Sequence, residues 1–585
     1  MTSFLKYLSC GSLNFFLLLT LWLQGSVCQA FPLSVTVEGV EGELYTNIMA
    51  RLKISLQQEN PDITPREIRR LHKQAPKEIA EALAPYGYYS VQVDSFLTDN
   101  DEGWRALYRV SAGTPVIVDS LSVEVTGPGR ESPVFQELAA KFPLQPGDPL
   151  KDSLYETGKK KILVLAMAHG YAQARFTEHK ILVKRQEGQA EIRLSLESGP
   201  LYHFGETMSS QEIITPELFQ RFIPYRQGDV YSLQSLNQLQ SSLYSTGYFS
   251  QVLVEPKFSQ RQDEKIPVEV SLLPAKPNRY SFGVGYGTDT GFRGSLGWTN
   301  RLMNRFGHKP SLTMQLSERR SHVNASYEIP VFDPRYDTVS LDGRYLDDTW
   351  DDTWTNLLSF GASVNHNTPK HQYGAGLEIR HEKYTVGVTS GSADLLMPSA
   401  YWNLILAKDR INTGNGIRLS ASVKGADNTL FSSTSFIQFR LSGKAILTPM
   451  DNWRILGRGT IGATTMESID DLPPSLRFYA GGDQSVRGYG YKELGPVDSS
   501  GVVVGGQYLM DGSIELERKL TSKWSVAAFY DVGNAFDDID ADLKHGAGAG
   551  VRLILPFGQI RMDVASALSE DGYPLRVHLT VGADL

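Results

Sequence analysis

The sequence predicts three tandem α+β domains of the order β-α-α-β-β, followed by a 16-stranded antiparallel transmembrane β-barrel. Three observations support this fold class. A Gly-Tyr pair ends a helical pattern three times in the first half, at Gly87, Gly170 and Gly247. After residue 276 the helical pattern nearly disappears, and six of the eight tryptophans lie there. In that second half apolar and polar residues alternate, which is the period of a β-strand with two different faces.

Residues 1–30 have the pattern of a secretory signal peptide. Lys6 precedes an apolar run from Leu13 to Leu23, and Cys28-Gln29-Ala30 provides small residues where a signal peptidase cleaves. The apolar run is shorter than the roughly 20 residues that a membrane-spanning helix needs. Cys10 and Cys28 both fall within this segment. We therefore expect the exported chain to contain neither disulfides nor reactive thiols.

The charge balance and the residue patterns exclude two classes of function. Lys6 is the one charged residue of the first 30; of the 57 basic and 65 acidic residues in the sequence, the remaining chain keeps 56 and 65, a net charge of −9. Sequence-independent binding of nucleic acid needs clustered basic residues, so we expect no nucleic-acid partner. No Ser-His-Asp, metal-ligand or phosphate-loop pattern stands out. We expect no enzyme activity, catalytic residue, metal or cofactor.

The first half is divided into three similar domains, 31–113, 114–198 and 199–275. In each, one strand follows the Gly-Tyr pair directly and a last strand comes later, at 108–110, 192–196 and 268–272. A glycine after a helix suits the left-handed conformation that ends many helices, so we interpret the Gly-Tyr pairs as structural. The exposed edge of each small sheet is where an extended peptide could bind by strand addition.

Residues 276–585 are predicted to form the barrel, beginning at the stiff segment Pro274-Ala275-Lys276-Pro277. About 310 residues, at roughly 19 per strand and loop, give about 16 strands, an even number as in bacterial barrels. A soluble β-sandwich alternates in the same way. The export signal, the long run of strands and the charged face of strand after strand favour a barrel with a water-filled lumen. Such a barrel must be closed, because open sheet edges are not tolerated in lipid.

A motif near residue 487 indicates a known family. Residues 481–489 contain Val-Arg-Gly-Tyr, and matching strand segments follow at 512–517, 529–536 and 546–552. Together with the three repeats, these segments resemble the outer-membrane assembly-factor superfamily that includes BamA and TamA. The resemblance implies that the repeats are polypeptide-transport-associated (POTRA) domains, and three repeats favour a TamA-like member. It covers nearly the whole chain after residue 30.

The resemblance implies that the motif lies on a long loop folded back into the barrel lumen. The motif residues are Val486, Arg487, Gly488 and Tyr489. The alternation of apolar and polar residues then suggests partners for the motif in the barrel wall. Glu515 and Asp531 each occupy a polar position of their strand, on the face that is expected to point into the lumen. We predict that Arg487 binds both carboxylates through charge-assisted, often bidentate hydrogen bonds. Such bonds would position the loop more than they would stabilise the barrel.

Function is expected to depend on the join between the first and last barrel strands. The first strand contains three glycines, which weaken strand pairing and packing: Gly283, Gly285 and Gly287. The last strand follows Pro574 and contains Val577 and Leu579. If these strands pair only partly, a client strand can add at this lateral gate by β-augmentation. The family resemblance implies the same gate.

The resemblance also implies a location and partners. The protein would lie in the lipid bilayer of the cell outer membrane, with its N-terminal domains in the periplasm. It would promote the insertion or secretion of autotransporters and other β-barrel clients, and its first domain would bind an inner-membrane-anchored partner of the TamB type. Two alternatives stay open: a two-partner-type secretion pore for one dedicated soluble protein, and a passive channel with accessory domains.

Overall fold

The computed structural model describes residues 33–585, apart from 101–102, 288–290, 539, 557, 583 and 585. The expected signal peptide, 1–30, and both cysteines lie outside the described residues. Within them the chain forms three three-stranded sheets followed by one sheet of 16 strands. This arrangement confirms the predicted fold class.

The first domain packs two helices against a three-stranded sheet. Its elements are β1 (Leu33–Glu38), α1 (Gly42–Arg51), α2 (Pro65–Leu83), β2 (Gln92–Asn100) and β3 (Gly103–Ser111). β1 is parallel and β2 antiparallel to the central β3. Helix α2 begins where the Thr64 side chain accepts from the backbone N–H of Glu67. Because β2 pairs on one side only, it is an exposed sheet edge.

The second domain repeats the sheet with one α-helix. Its elements are β4 (Ile117–Thr126), α3 (Asp152–Ala168), β5 (Arg175–Lys184) and β6 (Gln189–Glu197), in the order β4-β6-β5. The predicted β-α-α-β-β order is wrong here for the first helix, which is replaced by two short 3₁₀ turns over the fully described residues 127–136. A helix that began at Pro128 would contain Gly129, which costs backbone entropy, and Pro133, which lacks the N–H donor that an interior helix position needs.

The third domain has the predicted order of elements. They are β7 (His203–Met208), α4 (Pro216–Phe222), α5 (Leu233–Ser245), β8 (Phe249–Pro256) and β9 (Lys265–Pro274), in the sheet order β7-β9-β8. The Tyr248 hydroxyl, just after α5, donates to the Gly307 carbonyl oxygen at 2.6 Å. The Thr215 N–H, just before α4, donates to the Arg305 carbonyl oxygen at 2.9 Å. These bonds attach the helical part of the domain to the first turns of the barrel.

Each Gly-Tyr pair follows a helix, as expected. Gly87, Gly170 and Gly247 have φ of +87°, +91° and +73°, the left-handed region that glycine enters without steric penalty. At Gly87 space is also short, because a side chain there would lie 2.7 Å from the Leu150 carbonyl oxygen. These glycines end one element so that the next strand can begin.

Sixteen antiparallel strands follow one another up and down in chain order. They are β10 (Asn278–Gly287), β11 (Gly291–Asn300), β12 (Lys309–Ser317), β13 (Arg320–Pro330), β14 (Asp337–Trp350), β15 (Thr353–Asn367), β16 (His371–Val386), β17 (Thr389–Ala407), β18 (Gly416–Ala426), β19 (Phe436–Met450), β20 (Trp453–Thr465), β21 (Tyr508–Lys519), β22 (Trp524–Phe536), β23 (Lys544–Leu555), β24 (Gly558–Ala567) and β25 (Leu575–Gly582). The longest connection, residues 466–507, joins β20 to β21.

The barrel wall has an apolar outer face and a polar inner face. In β22, Trp524 and Tyr530 are exposed, whereas Ser525 and Asp531 on the other face are buried. An outer face of large apolar side chains belongs in lipid, and alternation with polar residues is the pattern of a transmembrane barrel. The parity predicted from the sequence therefore holds for this strand.

By internal packing the chain forms two compact units. One comprises residues up to Glu206 with Gln227–Gln234 and Phe258–Pro267, and the other comprises Thr207–Arg226, Ser235–Lys257 and the residues from Val268 onward. The predicted domain boundaries at 113/114, 198/199 and 275/276 fall between strands and stay predictions. Among the described residues, no helix is both long and apolar enough to cross a membrane.

Candidate functional site

Residues 466–507, here called the lumen loop, form a folded structure inside the barrel. Isolated backbone bridges join Phe478 to Gly506 and Ala480 to Leu494. The loop's apolar side chains are buried together with residues of the inner wall, in a cluster of Phe478, Ala480, Val486, Tyr489, Leu494, Leu509, Ala535 and Ala567. The loop thus lies against the interior side of β21, β22 and β24.

Arg487 binds the wall through all three nitrogens of its guanidinium group. Nε and one terminal nitrogen donate to the two carboxylate oxygens of Asp531, at 2.7 and 2.9 Å, and the other terminal nitrogen donates to Glu515 at 2.8 Å. The Arg487 backbone N–H also donates to Asp531, at 3.0 Å. The Phe529 ring centroid lies 3.3 Å from Cζ, a cation–π contact. The structure therefore brings together Arg487, Glu515 and Asp531.

Two further charged residues close a ring around Arg487. Arg552 donates to Glu515 at 2.8 Å and to Asp563 at 2.5 Å, and Arg487 donates to Asp563 at 3.2 Å. Charges alternate around this ionic ring, defined as Arg487, Glu515, Arg552 and Asp563. Arg458, 3.6 Å from Asp531, balances the remaining carboxylate. Each buried charge consequently has an opposite charge beside it, as burial requires.

Sequence reasoning missed Arg552 and Asp563. Both have the parity that faces the lumen, which was a visible signal. Many other charged residues also occupy lumen-facing positions, however, so this signal does not select a pair. Only the register of β23 with β24 shows which of them meet: Gly550 lies opposite Asp563, and Arg552 lies opposite Arg561.

Two glycines allow the motif to approach the wall. Gly488 has a φ of +100°, and a side chain there would lie 2.8 Å from the backbone nitrogen of Ala567. A side chain at Gly546, in β23, would overlap the carbonyl oxygen of Arg487. Both neighbours are backbone atoms that cannot move aside cheaply. Glycine is therefore required at both positions.

The two remaining motif residues anchor the loop by packing. Val486 is completely buried. The Tyr489 hydroxyl donates to the His545 carbonyl oxygen and accepts from the Ser569 N–H, both at 3.3 Å. A buried tyrosine with both hydrogen-bonding roles satisfied fixes the loop relative to the β22–β23 and β24–β25 hairpins.

The lumen loop is also bound to the last strand through His578, which the sequence did not single out. The Gly488 N–H donates to His578 Nε2 at 3.0 Å, and Nδ1 lies 2.5 Å from the Asp483 carboxylate. An accepting Nε2 carries no proton, so this geometry places the ring proton on Nδ1. The Nδ1–H group then donates a hydrogen bond to the Asp483 carboxylate. Arg576 of the same strand forms an ion pair with Glu493 at 3.2 Å. β25 is thus held from inside the barrel.

A second group of buried charges lies at the C-terminal end of β25. Asp584 accepts from Arg454 at 2.7 Å, from Arg561 at 2.8 Å and from the Thr413 N–H at 2.9 Å. Arg454 also donates to Glu517 at 3.0 Å. This cluster has no local sequence signal, because its members come from distant segments of the chain.

The strand ladder is interrupted at the seam, defined as the join between β10 and β25. Cα atoms of the two strands approach within 8 Å. Within the described part of the chain, no hydrogen-bonded ladder joins them. On the outer face of β10, Phe282 and Val284 are 81% and 97% exposed, as expected where no strand covers one side. On β25, Val577 is exposed and Leu579 is half-buried.

The glycines predicted at the gate lie on the inner face of β10. A Cβ at Gly283 or Gly285 would meet side-chain atoms of Ser295 and Arg293, at 2.5 and 2.8 Å. Such atoms can move, unlike the backbone around Gly488. Packing does not demand glycine here, so the main effect of these residues is to weaken β10 as a strand. Gly287 ends β10 and precedes residues 288–290, which are not among the described residues.

Comparison with known proteins agrees with this architecture. Residues 276–584 match the family model described as "Omp85 superfamily domain". Residues 34–112 match the model "POTRA domain TamA domain 1", and residues 207–272 match the model "Surface antigen variable number repeat". The outer membrane protein assembly factor BamA of Nitratidesulfovibrio vulgaris (strain Hildenborough) is 24% identical over 363 residues, 59% of this chain and 46% of that protein. The chain thus spans about half the length of that curated relative.

A solved structure shows the same fold. BamA from Haemophilus ducreyi lacking POTRA domains 1–3 superposes with a TM-score of 0.64 at 15% identity, covering 80% of this chain and 99% of that one. At this identity the likeness concerns the fold alone.

Proposed function

The chain belongs to the Omp85 superfamily, and from this premise we propose that it is a TamA-like assembly factor of the outer membrane, with its POTRA domains in the periplasm. It promotes the insertion or secretion of autotransporters and other β-barrel proteins. Clients enter through a lateral gate between β10 and β25. The observation that supports the proposal is the interrupted seam, with a weak first strand on one side and a firmly held last strand on the other.

Strand addition at this seam needs no covalent chemistry. β10 has ten residues, so its free edge presents about ten N–H and C=O groups, each of which costs several kcal/mol if it stays unsatisfied in lipid. A client strand that pairs with β10 satisfies these groups. The free energy released in that pairing drives capture of the client.

A reversible disulfide across the seam tests the gate. Cysteine at Val577 is combined in turn with cysteine at Phe282, Val284 and Tyr286, which share the outer face, because no ladder fixes one register. The matched control is Val564→Cys with Val577→Cys, a pair already joined in register between β24 and β25. The protein is reconstituted into lipid vesicles, and insertion of a urea-denatured autotransporter barrel is followed by its heat-modifiable migration.

We expect the oxidised seam pair to stop insertion, reduction to restore it, and the control pair to insert at the unmodified rate in both states. Insertion at the control rate with the seam locked would refute the gate. If the locked seam instead left secretion of a soluble partner intact, the secretion-pore alternative would be favoured.

The partner of the periplasmic domains follows from the same proposal. The first domain offers β2 as an exposed edge, on which Phe96 is 47% exposed. We propose that an inner-membrane-anchored TamB-type protein adds a strand there. A photo-reactive residue at Phe96 should then cross-link to that protein in cells, and one at Leu56, exposed outside this edge, should not. Equal cross-linking from both positions would contradict strand addition at β2.

A further inference from the structure

The lumen loop also contacts a part of the wall far from the ionic ring. Lys492 Nζ lies 3.2 Å from the centroid of the Trp350 ring and 3.6 Å from the Asp348 carboxylate. Both partners are buried at the end of β14. The loop residue Tyr479 packs edge-on against Trp350, with ring centroids 5.7 Å apart. Lys492 is thus held by a cation–π contact and an ion pair together.

Ser475 makes a second contact to the same side of the barrel. Its hydroxyl donates to Glu382 at 2.6 Å and its N–H donates to the same carboxylate at 3.4 Å. Glu382, in β16, is fully buried and also accepts from the Thr355 hydroxyl at 2.6 Å. A buried carboxylate with several donors is a fixed attachment point, since losing a donor would leave its charge poorly solvated.

These contacts lie half-way around the barrel from Arg487. Lys492 and Ser475 bind β14 and β16, whereas Arg487 binds β21, β22 and β24. β14, which Lys492 contacts, and β22, which Arg487 contacts, are eight strands apart in the order of sixteen. Five residue steps separate Arg487 from Lys492, and five residues span at most about 18 Å. The two walls are therefore joined through a short segment.

The backbone at Lys492 supports a fixed position. Its φ is +59°, in the left-handed region that residues with a side chain rarely adopt. Such a conformation persists where the surroundings enforce it. The contacts with Trp350 and Asp348 provide that restraint.

We propose that the lumen loop is a tie between opposite walls of the barrel, in which Lys492 is a positioning residue that holds Arg487 and Gly488 against the β21–β25 wall. The tie goes beyond the assembly function proposed above, because it concerns the state of the lumen whether or not a client is present. Released at one end, the loop stays attached at the other and still obstructs the lumen. Released at both ends, it can leave the lumen.

Single-channel conductance of the full-length protein in planar lipid bilayers tests the tie. Lys492→Ala and Arg487→Ala should each raise the mean conductance only slightly, because the loop stays attached at its other end. The double variant should exceed the two increases combined severalfold, because residues that act on one element are not additive. Lys492→Arg should keep the low conductance, since arginine also stacks on an aromatic ring and pairs with a carboxylate.

Two controls keep the test decisive. Lys424→Ala removes a lysine from the inner face of β18 and should leave the conductance unchanged. Lys492→Met keeps the apolar stem against Trp350 and loses only the charge, so it serves if the alanine variant does not fold, as judged by heat-modifiable migration. The tie is overturned if the Lys492 variants conduct like the unmodified protein and the double variant conducts like Arg487→Ala.

Discussion

Replacing Arg487 with methionine removes one charge of the ionic ring and keeps a side chain of similar length. Asp531 then has Arg458, 3.6 Å away, as its remaining cationic partner. Glu515 and Asp563 both keep Arg552. Removing one partner of a buried ion pair costs about 3–5 kcal/mol, and we expect the free energy of unfolding of the barrel to fall by about that much. Most of the loss should arise at Asp531.

A double-mutant cycle with Asp531→Asn measures that share. Asparagine removes the Asp531 charge that Arg487→Met leaves without its main partner. The free energy of unfolding of the double variant should therefore fall by less than the sum of the two single losses, with a coupling energy of about 2 kcal/mol or more. Equilibrium unfolding in urea from lipid vesicles, followed by tryptophan fluorescence, gives each free energy. Arg440→Met, at an exposed inner-face arginine of β19, should change it by about 0.5 kcal/mol or less. A coupling energy near zero would show that Arg487 does not act through Asp531.

Asp584→Asn should lower the free energy of unfolding in the same assay by about 1.5–3 kcal/mol, the range for hydrogen bonds to charged groups, because Arg454 and Arg561 both lose a carboxylate; an unchanged urea midpoint would contradict this. Burial lowers the pKa of His72, whose Nδ1 lies 2.9 Å from the Tyr108 hydroxyl. The unfolded chain therefore binds the proton more readily, and the first domain should lose stability as pH falls through about 6.5. Exchange of α2 amides, corrected for intrinsic rates, measures this, and a pH dependence unaltered in His72→Gln would rule it out. Amides of β10 should exchange faster than those of β25; equal protection would argue against a weak first strand.

The sequence carries enough information for the strands and for which side chains face inward, because the period of two is a local property. The parity of Glu515 and Asp531 followed from their apolar neighbours, and the structure has both carboxylates on the inner face. Helix ends were also predictable where a single residue type is needed, as at Gly87. In the second domain, by contrast, the repeat pattern predicted a first helix, although Gly129 and Pro133 disfavour a continuous helix from Pro128 onward.

The other site residues could not be selected from the sequence for a different reason. Lys492, Arg552 and His578 act through partners that lie between 11 and 144 positions away in the chain. Many other charged residues also occupy the alternate strand positions that face the lumen, so alternation alone does not select these three. Their pairing depends on where a 42-residue loop lies inside the barrel. Only the register of the whole sheet determines that position.

The two edges of the seam are restrained unequally, and this bears on which edge would open in the proposed gate. β25 is bound to the lumen loop through His578 and Arg576, and its C-terminal end is held by Asp584. The inner face of β10 begins with Arg279, and the positions after it, Ser281, Gly283 and Gly285, are serine and glycine, which have no charge with which to bind the loop. Separation of β10 therefore breaks fewer strong bonds than separation of β25. In the proposed gate, the edge offered to a client strand is then β10, while His578, Arg576 and Asp584 keep β25 in place.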